Sequence, residues 1–379
     1  MCNFSTLYFY EIKKILQKKM VWISFGIIFA FVIFMGVGDL FFSYEKDGAK
    51  VSAYEKIVNE KENARELSGR EIDDSLLDEM KRDDTKKYDA IYQIVKYLIN
   101  SDEEIRNVNE SKLYQTRTDN IEQMFIDQRL TEGEIAYWRE KESDIKIPFT
   151  YEYTRGYLQF IDLIYNLNIF MVVMLGISLS GVFADEHFRK TDQLILGSRY
   201  GKKILYFAKL GAGISVGTLG TVILLLAGTV LAFAIYGADG FHGVLQLVII
   251  KSSWQLSVGA MSICLLAFTL LLALLYSVFT MFLSEGLKSS AAVMAVLLGM
   301  FFVTFFFNFP YQYRIPSQIL GLMPAKILRA GGWADLRLVK IFGHYLMTYQ
   351  FAPVLYFAAI VIFILAGKRM YERFQIGGR

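Results

Sequence analysis

The sequence predicts an all-α membrane protein of six transmembrane helices. It adds an N-terminal interfacial amphipathic helix and a helical extracytoplasmic insert between the first and second spans. Three observations predict this class. Apolar residues make up 54% of the 379, and a water-soluble chain of this size has no dry place for so many. Charged residues still make up 20%, so the polar residues are segregated rather than missing. Six apolar runs, at 21–42, 157–184, 204–236, 254–283, 290–309 and 351–367, lie at or near the length of about 20 residues that crosses the hydrocarbon core as a helix.

In chain order, residues 1–20 form the interface helix: Phe4, Leu7, Tyr8, Ile12, Ile15 and Leu16 make one stripe at helical spacing opposite Lys13 and Gln17. Lys18 and Lys19 close it with cations suited to anionic headgroups. Residues 21–43 are the first span. The lysines before it resemble the start of a signal peptide, but the run exceeds an h-region of about 7–15 residues and no small-residue cleavage site follows, so it is an uncleaved anchor. Residues 44–156 are the insert. From Tyr44 to Arg155 there are 19 basic and 27 acidic residues, a net of −8, while the rest of the chain holds 21 basic and 10 acidic, a net of +11. The overall +3 is therefore a cancellation and signals neither nucleic acid nor a polycation partner. Ile91, Ile94, Val95, Leu98 and Ile99 recur at helical spacing, and Ser75 with Asp78 and Thr131 with Glu134 read as capping boxes. Residues 157–379 hold spans two to six. The last run is the shortest and begins within 346–350.

Basic residues in short loops set the orientation. With the N-terminus in the cytoplasm, 15 Lys and Arg lie inside and six lie in short outer segments, so both termini are cytoplasmic and the acidic insert is outside. Five of those six, Arg314, Lys326, Arg329, Arg337 and Lys340, are crowded between Phe309 and Phe351 and run against the bias.

The chain carries no Walker A pattern, no His-Glu-x-x-His, no Gly-x-Ser-x-Gly and no dinucleotide fingerprint. Cys2 and Cys264 are too far apart, and His187, His242 and His344 too scattered, to suggest a disulfide framework or a metal cluster. An enzyme is not expected. Leu67-Ser68-Gly69-Arg70 resembles the opening of the transporter ATPase signature, but it lacks the second Gly and the Gln and lies on the side without ATP. Polar groups within spans are the remaining candidates, since lipid penalises them. Asp162 and Asn166, four apart with Asn168 on another face, either line the outer part of a substrate path or mark the wet interface, as Asp39 does. Gly213, Gly217 and Thr221, and Gly176 with Ser180, are small-residue stripes suited to close helix packing. The aromatic cluster around Phe301–Phe309 with Tyr311 and Tyr313 reads as an interfacial belt. The inner loop 185–203 mixes both signs of charge with Leu194 and Leu196, a pattern that suits a soluble protein partner better than lipid.

With these residues in view, the whole chain resembles the permease subunits of type-2 ABC exporters, whose ATPase is a separate polypeptide. The likeness lies in the basic N-terminal helix, the first span with its outer segment, and the loop carrying Asp185, Glu186, Arg189, Thr191, Asp192, Leu194, Leu196 and Arg199 on the way to Lys209. It continues in Leu320-Gly321-Leu322-Met323-Pro324, similar to an outer re-entrant region over 310–350, and in the basic tail. It departs at Lys190, a position often Gly, and at Gly197-Ser198, where Pro is frequent. The resemblance implies that those eight loop residues form the coupling helix seated on the ATPase, and that the N-terminal stripe is an elbow helix. It implies cytoplasmic ABC ATPase subunits as partners, a second permease chain, identical or not, and ATP with magnesium bound on the ATPase, with no cofactor on this chain. A bacterial plasma membrane is the expected site, membrane lipid the other partner, and a peptide, antimicrobial or lipid-linked molecule the expected cargo. The competing reading is a non-transport sensor or assembly scaffold whose outer helical domain binds a partner.

Overall fold

The computed structural model describes residues 4–46, 49–83, 85–99, 101–191 and 203–373. Helix α1 (Phe4–Leu16) meets α2 (Lys19–Val37) after a short break, and the hairpin β1 (Ser43–Lys46) and β2 (Ala49–Ser52), with Ser43 opposite Ser52, leads into the insert. The insert carries α3 (Ala53–Leu67), α4 (Asp74–Arg82), α5 (Asp89–Leu98), α6 (Asp102–Arg106), α7 (Glu110–Asp127) and α8 (Glu132–Ser143). Its helix starts are written by caps: Ser52, Asp73, Ser101, Asn109 and Thr131 each accept a hydrogen bond from the backbone N–H three residues on. Thr131 and Glu134 form the reciprocal capping box. The other expected box is displaced, because Asp73 takes the cap of α4 and Ser75 lies inside the helix.

The membrane part consists of α9 (Arg155–Leu179), continued after a break at Ser180 by α10 (Gly181–Phe188), then α11 (Lys203–Tyr236), α12 (Val258–Leu287) and α13 (Ser290–Phe306). A connecting segment holds α14 (Arg314–Gly321) and the antiparallel hairpin β3 (Leu338–Ile341) and β4 (His344–Met347), before α15 (Thr348–Arg373). Among the described residues, five stretches, 19–41, 155–188, 203–236, 258–287 and 348–373, are long and apolar enough to cross a membrane. The fifth expected span differs: α13 is a 17-residue apolar helix, about 26 Å long at 1.5 Å per residue, slightly short of a hydrocarbon core of about 30 Å. The two short hairpins are the departures from an all-α chain.

The middle of the bundle is the α9–α10 stretch, 78% of whose apolar window is buried, against 22% for the first and last spans. Small residues allow the close approach. A side chain at Gly213 would meet Met281 and Leu179, and one at Gly217 would meet Ser277 and Leu175, so this stripe sets α11 against both α12 and α9. Thr221 seals its hydroxyl on the carbonyl of Gly217 at 2.9 Å.

The insert does not close its core alone. Leu76, Leu77, Ile91, Val95, Leu113 and Phe149 pack with Leu247 and Ile250 from the segment between α11 and α12. A second core joins Ile121, Phe125 and Trp138 to Leu336, Leu338 and Met347 of the β3–β4 region. Arg117, 2% exposed, fastens the first connection: its Nε donates to the carbonyl of Ile250 at 2.7 Å and Nη2 to that of Ser252 at 2.9 Å, while Glu142 balances its charge.

Candidate functional site

The site lies at the end of the bundle opposite the insert, where α9 gives way to α10. Ser284 on α12 makes the junction: its hydroxyl donates to the carbonyl of Ser180 and accepts from the N–H groups of Phe183 and Ala184. Those N–H groups are among the orphaned donors of a helix start, which explains a polar residue deep in an apolar span. Helix α10 ends on a Schellman motif. Thr191 N–H reaches the carbonyl of Glu186 at 3.1 Å, Lys190 N–H reaches that of His187 at 3.1 Å, and Lys190 takes a left-handed φ of 55°. That conformation is one that glycine adopts without the steric cost a Cβ brings.

Four charged side chains from three elements meet behind this turn. Lys209 of α11 is fully buried, with Nζ 2.5 Å from Glu186 Oε1 and 3.4 Å from Glu11 Oε2. Lys14 of α1 pairs with Glu186 and lies 3.7 Å from Glu11. Two carboxylates and two ammoniums thus balance out of water, which is the condition for burying charge at all. Burial works against the charge on Lys14, and the carboxylates of Glu186 and Glu11 more than offset it, holding the ammonium above its ordinary range. Around this knot, Lys18 bonds Asp185 at 2.8 Å, Ser290 of α13 donates to Asp185 at 2.9 Å, and His187 Nε2 sits 3.0 Å from Glu285 of α12. Tyr8 adds a hydroxyl contact to Ser215 at 2.7 Å. The apolar stripe of α1 consequently packs on the bundle: Ile15 is buried, and Tyr8 and Ile12 lie against the membrane core.

Of the loop residues singled out in sequence, Asp185 and Glu186 turn inward to this network, whereas Arg189 is exposed and Thr191 follows the turn. Asp192, Leu194, Leu196 and Arg199 lie outside the described residues. Beside Arg189 the structure exposes Phe188, 85% accessible, an aromatic presented at the tip of α10. Pattern reading missed Phe188, Glu11, Lys14, Ser284 and Glu285. The available signal was Glu11, the one acid set between Tyr8 and Ile15 on an apolar stripe, and Lys209, a cation inside an apolar run.

At the insert end, Asp162 is exposed and Asn166 donates to its backbone carbonyl at 2.8 Å, so the two side chains do not converge on a common ligand. Asp162 borders a recess of about 20 Å³ between α2, α9 and α11, and Tyr236 beside it donates to Asp39 at 2.7 Å. Asn168 is the buried polar residue of this span: its amide donates to the carbonyls of Pro324 at 3.2 Å and Ala325 at 3.4 Å, tying α9 to the segment after α14. Among the described residues no group of His, Cys, Asp or Glu is arranged to hold a metal ion.

The contacts of Asp185, Glu186 and His187 hold α10 against α1, α11, α12 and α13, and the family model for ABC-2 family transporter proteins matches residues 6–366. The chain belongs to the ABC-2 transporter family. It is accordingly a multi-pass membrane component of a transporter. No curated protein and no solved structure matches the sequence. Within α10, then, Asp185 and Glu186 are gripped from within, whereas Phe188 at its end and the adjoining Arg189 are exposed.

Proposed function

We propose that this chain is the permease subunit of an ATP-driven exporter, and that the α10 turn with its following loop receives the stroke of a separate cytoplasmic ABC ATPase. The observation that carries the reading is the Glu11–Lys14–Glu186–Lys209 knot. It fastens the start of the loop to α1 and α11 at once, so that a displacement of the loop moves both. ATP and magnesium bind on the ATPase, and ATP-driven closure of its subunits pushes on the loops. The work done equals the difference in contact free energy between the two states of the bundle.

In this reading α13 is a short fifth span among six, both termini are cytoplasmic, and the insert stands outside a bacterial plasma membrane. Two permease chains, identical or different, pair through span faces such as those of α2 and α15, which are left exposed with apolar residues including Phe31, Phe34, Val354 and Phe357. The size and position of the composite outer domain favour a peptide, antimicrobial or lipid-linked cargo. The Phe188→Ser, Arg189→Ala pair should insert normally and lose the ATPase on co-purification from the native host. ATPase recovery equal to wild type, or a wild-type chain that purifies with no ATPase, would overturn the proposal.

A further inference from the structure

The five cations that break the charge bias between Phe309 and Phe351 do not share one fate. Arg314 pairs with Glu134 at 2.8 Å, and Lys340 lies over the ring of Tyr345 at 5.1 Å. The other three, Lys326, Arg329 and Arg337, line a single cavity of about 320 Å³ that has one carboxylate, Asp335, in its wall. The cavity opens where two apolar helices end, beside Asn308 just after α13 and Thr348 at the start of α15, with Gln128 of the insert on its far side.

The charges there are out of balance. Asp335 lies 3.4 Å from Arg337 Nε, and that nitrogen, though buried, makes no hydrogen bond. Lys326 reaches only neutral acceptors, the carbonyl of Phe307 at 2.6 Å and the Asn308 amide oxygen at 2.7 Å. The Arg329 guanidinium has no hydrogen bond or ion pair among the described residues, although its backbone is anchored by Tyr349, whose hydroxyl donates to the Arg329 carbonyl at 2.9 Å. Burial chiefly, and then the charges of Arg337 and Arg329, pull the Lys326 ammonium below its ordinary range. Like charges repel, and partly buried ones are screened little, so the cluster lacks an anion to balance it.

We propose that this cavity binds a phosphate group, held by Lys326, Arg329 and Arg337. Guanidinium forks match phosphate oxygens two at a time, and an ammonium supplies the third contact. The level of the site, at the ends of α13 and α15, is that of lipid headgroups, so the phosphate is that of an anionic lipid or of a soluble phosphate compound reaching the same place. The site concerns the connecting segment and holds whether or not the exporter reading does.

The test is the thermal unfolding midpoint of the full-length chain in nanodiscs, with two arms. In phosphatidylcholine discs inorganic phosphate is titrated; in the other arm phosphatidylglycerol is added to the phosphatidylcholine discs in buffer free of inorganic phosphate. A raised midpoint in the first arm assigns a soluble source, and in the second alone a headgroup. In either case Arg329→Gln should weaken the response about tenfold or more, the loss of one charge-assisted contact, and Lys326→Gln should do the same. Lys340→Gln, which removes an equal charge outside the cavity, should leave the response intact. Wild type unmoved by both probes, or the two cavity variants responding as fully as Lys340→Gln, would overturn the assignment.

Discussion

Lys209 and Glu186 illustrate what a single buried charge costs and what its partner restores. Each is tolerated inside an apolar bundle because the other is 2.5 Å away, and removing Glu186 leaves the ammoniums of Lys209 and Lys14 with Glu11 as their one remaining carboxylate in the knot. Glu186→Gln should therefore lower the unfolding free energy of the purified chain by about 3–5 kcal/mol, read as a fall in its thermal midpoint. An unchanged midpoint would show that water reaches the knot. Lys190 makes the opposite prediction. It holds a left-handed φ of 55° without being glycine, so Lys190→Gly should raise stability by about 1 kcal/mol, measured the same way. Much of this scale was legible in sequence as type and not as direction. Glu186 stood out by its pattern, but only the turn of α10 shows that it points to Lys14 and Lys209 instead of toward a soluble partner. Asn168 was visible as a polar residue in a span, yet its partners are carbonyls more than 150 positions away, which periodicity cannot reach.

At the scale of elements, helix periodicity located nearly every span because lipid allows little else across the membrane. It overstated 290–309, where α13 stops at Phe306 and the chain turns extended before Pro310. The Gly213–Gly217–Thr221 stripe proved to be a packing surface between α11, α12 and α9. Gly213→Leu should then force α11 away from Met281 and cost about 1–3 kcal/mol, detectable as reduced protection of α11 amides from hydrogen exchange. Equal protection in the variant would mean that the helices are not in close contact. Capping was legible where both halves of the box were present, at Thr131 and Glu134. It misled at Ser75 because Asp73, two residues earlier, starts the helix by accepting from the Leu76 N–H and leaves Ser75 inside it.

On the scale of the whole molecule, the charge arithmetic separated an acidic insert from a basic body, and the structure keeps that division while joining the two. The joining pieces are short segments between spans, whose apolar residues are too few to announce a core in sequence. Trp138 is their keystone, 1% exposed, with its indole N–H donating to the carbonyl of Leu336 at 3.1 Å. Trp138→Ala should cost about 3–5 kcal/mol and release the β3–β4 hairpin to rapid hydrogen exchange while α3–α6, on the other core, stay protected. Release of both halves together would mean one cooperative outer domain. In the exporter reading, an insert joined to several spans and an α10 turn gripped at the opposite end couple movement between the two ends of the molecule.

The most direct test of that coupling is transport by the reconstituted complex of this chain and its ATPase, carrying Glu186→Gln. The Phe188–Arg189 tip is untouched in this variant while the grip on α1 and α11 is cut. The ATPase should bind and hydrolyse ATP as in wild type, with cargo movement lost. Fully coupled transport in the variant would contradict the account.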